Sequence, residues 1–225
     1  MTTLVYQTAS AINSAMSRVY GHMAMAILTS MIVSWFVGSS PDLMTFFFTG
    51  WMKWLVIFAP LVAVFGINFA LHSNPSKGVA VALLHGFAAL MGLSFATIFT
   101  VFKFGSIVSA FMGGATLFIL MSGYGYFTKQ SLDSLGKYLL IGLIAIVIAS
   151  IINVFVGSSF AQMIISAIAI IVFLGLTAYD TQKIREQIME EGLTPGTEIS
   201  GALSLYLDFI NLFLSLLQLF GDKKE

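Results

Sequence analysis

Charges fall far apart along this chain, and the intervals between them are long, apolar and close in length. Crossing a hydrocarbon core about 30 Å thick takes about 20 mostly apolar helical residues. Arg18 and Asp42 enclose 23 uncharged residues, and Lys53 and Lys77 enclose another 23. The intervals 78–102 and 104–128 hold 25 each, and 138–179 is uncharged for 42, the length of two spans with a turn at Gly157-Ser158-Ser159. The last apolar run, 199–220, has one charge inside it, Asp208. This pattern predicts seven transmembrane helices, at about 19–36, 54–71, 79–101, 104–127, 138–156, 160–180 and 199–220. The fold class is therefore an all-α integral membrane protein, with residues 1–225 forming one seven-span membrane domain.

The residues are 58% apolar and 9% charged, and the mean hydropathy is +0.97, which excludes a soluble globular domain. Zero net charge removes the electrostatic case for nucleic-acid binding, and the lack of cysteine excludes disulfides and thiolate chemistry. No Ser-His-Asp grouping, metal motif or phosphate loop suggests an enzyme. With the N-terminus inside, the inner loops carry Arg18, Lys77, Lys129, Lys137, Lys183 and Arg185, and the outer side Lys53, Lys103, Lys223 and Lys224. Six against four favours a cytoplasmic N-terminus. The stretch before Arg18 lacks an early basic cluster, so a retained first helix is expected rather than a cleaved signal.

Polar residues within the seventh span are not scattered. Gly201, Ser204, Asp208, Asn211, Ser215 and Gln218 recur at steps of three and four, which puts them on one stripe of a helix. Such a stripe faces protein or water rather than lipid, so the seventh helix is expected at the centre with six around it. Thr194-Pro195 is a helix-start signal ahead of it, and residues 178–186 read as span six continuing out of the membrane towards Gly192. Asp180 and Asp208 are then the two carboxylates that could meet inside the bundle. An ionised carboxylate there costs about 2.5 to 3.5 kcal/mol on insertion scales, which points to a function. Two carboxylates sharing a partly buried site repel when both are ionised, so the pair can hold one proton near neutral pH. A hard cation such as Ca²⁺ would replace that proton, which makes the pair a pH sensor, a transient Ca²⁺ site and a cation gate. Ser204 and Asn211 are candidate supports. His22, His72 and His85 fall on the inner half and could titrate beside Asp180. Glu186, Glu190, Glu191 and Glu198 read as an acidic, solvated inner loop.

The segment 202–213, Ala-Leu-Ser-Leu-Tyr-Leu-Asp-Phe-Ile-Asn-Leu-Phe, resembles the C-terminal signature of the Bax inhibitor-1 family, the transmembrane Bax inhibitor motif proteins. Tyr179-Asp180 matches that family's other aspartate position, and the seven-span layout extends the resemblance over the chain. The resemblance implies six helices around a seventh and a pH-sensitive Ca²⁺ leak with Asp180 and Asp208 as a proton-sharing sensor. Some members carry a basic residue at the inner end of span two that pairs with the seventh-helix aspartate; here His72, Asn74 and Lys77 stand in that region. Members include suppressors of cell death and bacterial inner-membrane proteins that modulate a membrane protease, and the compact chain favours a bacterial inner membrane. Three readings follow: a Ca²⁺-permeable channel gated by the aspartates, a non-conducting adaptor for a membrane protease or stress partner, and, more weakly, a proton-coupled cation exchanger. None needs a resident cofactor, since Ca²⁺ is cargo in the first.

Overall fold

Among the described residues every regular element is a helix, as unbroken apolar runs in a membrane require: without water, each backbone N–H and C=O must bond within its own segment. The computed structural model describes residues 2–73 and 75–224, with side chains from residue 10 onward except that of Glu191; Asn74 lies outside the described residues. The helices are α1 (Thr2–Gly38), α2 (Pro41–Phe48), α3 (Met52–His72), α4 (Lys77–Phe95), α5 (Ile98–Val101), α6 (Phe104–Phe127), α7 (Asp133–Val156), α8 (Ser159–Glu191) and α9 (Pro195–Phe220). Seven segments are long and apolar enough to span a membrane, and each overlaps one of the seven expected from the charge intervals.

The expected helix boundaries have visible causes. Gly157 and Gly192 close α7 and α8 with φ of +70° and +78°, a region that residues with a Cβ rarely enter. Thr194 Oγ1 accepts from the Thr197 N–H at 3.1 Å, and Pro195 takes the first helical position, so α9 starts where the sequence signalled. Two features were not expected. Ser40 caps the short α2, whose residues are all at least partly exposed, between the first two spans. The third span is broken near Ala96 and Thr97, so its C-terminal end is the separate turn α5.

The helices group into two compact units. The first holds residues 1–101, 186–206 and Lys224. In it α1 buries Ala15, Met16, Val19, Met23, Ala26, Ile27 and Ser30, a stripe at helical spacing, and α4 buries Ala80, Leu84, Phe87, Ala88 and Met91. Ser30 Oγ donates to the Ala88 carbonyl at 2.7 Å and lies 2.6 Å from the hydroxyl of Tyr206, which is fully buried on α9. Pro60 of α3 has no N–H, which leaves the Val56 carbonyl without its helical donor; Ser94 Oγ of α4 supplies one at 2.7 Å.

The second unit holds residues 102–185 and 207–223, with Glu225 beyond the described residues. In α7 the exposed residues Ile141, Ile144, Ile148 and Ile152 recur at helical spacing, which is a lipid-facing row. Among the described residues α9 is the most enclosed candidate span: 56% of its most apolar window is buried, against 6% for α7. Its burial does not follow the polar stripe alone. Gly201, Asp208 and Ser215 are buried, but so are Leu203, Phe209, Ile210, Leu212 and Leu217 of the other faces.

Candidate proton and cation site

The second unit fixes the backbone around Asp180 on several sides. Ala178 lies so close to Gly125 of α6 that a Cβ on that glycine would collide with the Ala178 carbonyl, so α6 and α8 touch backbone to backbone. Ser122 Oγ and Thr181 Oγ1 are 3.0 Å apart across the same contact. Gln182, also buried, accepts from the Leu132 N–H at 2.8 Å and donates to the Gln130 carbonyl at 2.9 Å. It thereby satisfies the turn between α6 and α7. The Tyr179 ring lies against Gly136 of α7, and the Lys183 ammonium sits 5.6 Å from that ring's centre. Asp180 itself is half-buried among these fixed neighbours, with Lys183 within electrostatic reach.

Asp208 is 4% exposed on α9, and its Oδ2 has no hydrogen-bond partner among the described residues. The Asp180 carboxylate is within electrostatic reach of it. Phe209, the next residue, meets Phe111 and Phe118 of α6 edge-on, at ring centroid distances of 5.3 and 5.9 Å. A buried carboxylate oxygen without a hydrogen-bond partner has given up its hydration with nothing in return. Asn211, expected to support the pair, spends its amide on its own helix, donating to the Leu207 carbonyl at 2.8 Å. Ser204 is half-buried in the first unit's portion of α9.

The histidines have other partners. His22 Nε2 is 2.9 Å from Glu198 Oε1, His85 Nδ1 is 2.8 Å from Thr29 Oγ1, and His72 Nδ1 is 2.7 Å from the Asn68 carbonyl of its own helix. Glu198 corrects the reading of a solvated acidic loop. It is 5% exposed in the first turn of α9, where Lys77 Nζ and Arg18 Nε also approach it, at 3.4 and 3.8 Å. Sequence reading saw one more loop acid because it counts charges along the chain. The available signal was topological: Arg18, Lys77 and Glu198 lie near the N-terminal ends of the first, third and seventh spans, which odd-numbered crossings bring to the same face.

The chain also matches the family model described as "Inhibitor of apoptosis-promoting Bax1" over residues 12–225. The protein belongs to the Bax inhibitor-1 family. It is 37% identical to the inner membrane protein YbhL of Escherichia coli K12, over 98% of this chain and 96% of that one. The protein YrjE of Lactococcus lactis is 34% identical over 96% and 93% of the two chains, and the protein RP147 of Rickettsia prowazekii 35% over 93% and 90%. Membership of this family and seven apolar helices together make the chain an integral membrane protein that sits in the lipid bilayer.

Ca²⁺ takes six to eight oxygen ligands when held tightly. Among the described residues no group of three or more histidine and acidic side chains is placed to hold a metal. Asp180 and Asp208 bring two oxygens each.

Proposed function

We propose that the protein is a pH-sensitive, Ca²⁺-permeable leak of a bacterial inner membrane, with its N-terminus in the cytoplasm and Asp180 and Asp208 as the gate. The observation that carries the reading is the buried Asp208 oxygen with no hydrogen-bond partner, on a carboxylate that has a second carboxylate within electrostatic reach. A proton shared by the pair removes one of two like charges and gives an unpartnered oxygen a hydrogen to hold or accept. That state is closed. When pH rises and the shared proton leaves, two ionised carboxylates repel each other and attract a divalent cation, which opens the path. The similarity to YbhL supports the membrane, and the excess of basic residues on the inner loops supports the orientation.

Ca²⁺ influx into dye-loaded proteoliposomes at pH 6, 7 and 8 tests this. The native chain should leak more at pH 8 than at pH 6, and both Asp180→Asn and Asp208→Asn should abolish the pH response. Folded, inserted protein that adds no flux over empty vesicles would refute the leak and favour an adaptor for a membrane protease. Uphill Ca²⁺ movement driven by an imposed pH gradient would instead show an exchanger.

A further inference from the structure

A second cluster of titratable groups, in the first unit, plays no part in the proposed gate. Glu198 is nearly inaccessible, yet three basic side chains from two other helices converge on it: Arg18 and His22, one turn apart on α1, and Lys77 at the start of α4. The side chains of Arg18 and Lys77 are 52% and 57% exposed, while that of His22 is 22% exposed and makes the shortest contact, 2.9 Å. Glu198 is also in the first turn of α9, directly after the Gly192 and Thr194 link from α8. Arginine and lysine side chains supply a standing positive charge, which here faces Glu198 from two helices. Histidine alone changes charge between about pH 5 and 8.

We infer that His22, Arg18, Lys77 and Glu198 form a proton-sensitive lock that holds the first turn of α9 to α1 and α4. With His22 protonated, the Nε2–Glu198 contact is a charge-assisted hydrogen bond, roughly twice as strong as the neutral one. With His22 neutral, the same contact survives only in the tautomer that carries hydrogen on Nε2, and one of three cations is lost from around a buried carboxylate. The lock is therefore tight while His22 carries its proton and loosens when that proton leaves. Among the described residues, the charged groups within 4 Å of one another that set the response are Arg18 and His22 from α1, Lys77 from α4 and Glu198 from α9. Its chemistry is independent of Asp180 and Asp208, so it stands whether or not the chain conducts Ca²⁺.

Hydrogen exchange of the 193–200 segment in the full-length protein in lipid nanodiscs reads the lock directly. Protection there, corrected for the base catalysis of exchange itself, should fall about threefold to tenfold between pH 6 and pH 8, the scale of one partly solvated charged hydrogen bond. His22→Gln keeps a hydrogen-bonding side chain but cannot titrate, so protection should become independent of pH. Arg18→Gln and Lys77→Gln should lower protection at every pH and preserve the slope, which a general loss of packing would not separate in this way. Asp208→Asn should leave the slope unchanged. PH-independent protection in the native chain, a slope that survives in His22→Gln, or a slope that disappears in Asp208→Asn would each overturn the lock. The last would assign the response to the carboxylate pair instead.

Discussion

Two acids ten residues apart on one helix are buried to nearly the same degree, 5% exposed for Glu198 and 4% for Asp208, and their surroundings are opposite. Glu198 has three basic partners within 4 Å, whereas Asp208 has an unpartnered oxygen and another carboxylate within electrostatic reach. A buried acid with cations around it fastens helices together. One facing a second acid is held at a disadvantage that a proton or a cation relieves. Burial alone therefore says nothing about role, and the charge on the neighbouring helix decides it. The largest expected consequence is in flux. Asp208→Asn should abolish the pH dependence of Ca²⁺ influx, while Glu198→Gln should keep it, because the carboxylate pair is intact. Equal loss in both variants would erase the distinction between the two acids.

The next effect is on stability, where the two substitutions should differ in sign. Glu198→Gln leaves Arg18, His22 and Lys77 facing a neutral amide, and should lower unfolding stability by about 1 to 2 kcal/mol, the exposure of Arg18 and Lys77 keeping the loss well below that of a fully buried pair. Asp208→Asn removes a like-charge repulsion and should leave the thermal midpoint in detergent at pH 8 unchanged or higher. A lower midpoint for Asp208→Asn at pH 8 would mean that the aspartate has a stabilising partner, contrary to its unpartnered oxygen.

Around Asp180 the comparison sharpens further, since closely held neighbours on α8 flank it on both sides. Gln182→Leu deletes the two hydrogen bonds to the turn after α6 and orphans the Leu132 N–H and the Gln130 carbonyl. A loss of about 1 kcal/mol is expected, with part of the turn's groups rescued by water. Exchange of the 130–132 amides should quicken while that of the 193–200 segment stays as it was. Faster exchange in both places would show that Gln182 supports the fold generally rather than this turn.

The span limits are legible in the sequence because membrane burial imposes its rule on whole segments. Charges at Arg18, Asp42, Lys53, Lys77, Lys103 and Lys137 could not sit in hydrocarbon, so they marked the span limits, and Gly157, Gly192 and Thr194-Pro195 marked ends through backbone conformation. The break at Ala96 and Thr97 carries no glycine or proline, and so no local signal. The role of Glu198 was hidden for a different reason. Its partners lie 176, 180 and 121 residues away in sequence, and only the fold sums their charges. Asn211 shows the converse: a polar residue at stripe spacing, whose amide hydrogen bond closes on its own helix.

The smallest expected effect tests whether neutral polar contacts matter as the charged ones do. Tyr206, between the two acids on α9, places its hydroxyl 2.6 Å from Ser30 Oγ, and its ring meets Phe87 edge-on at 6.1 Å. Tyr206→Phe keeps the ring contact and removes only the hydroxyl. Ser30 still has the Ala88 carbonyl to donate to, at 2.7 Å, so no donor is orphaned. Hydrogen bonds between helices in membranes contribute about 0.6 kcal/mol on average, and the loss should be of that size, seen as a small drop in unfolding midpoint with both pH responses intact. A loss comparable with that of Glu198→Gln would mean that this hydroxyl, rather than the charge cluster eight residues before it, is the main fastening of α9 to α1.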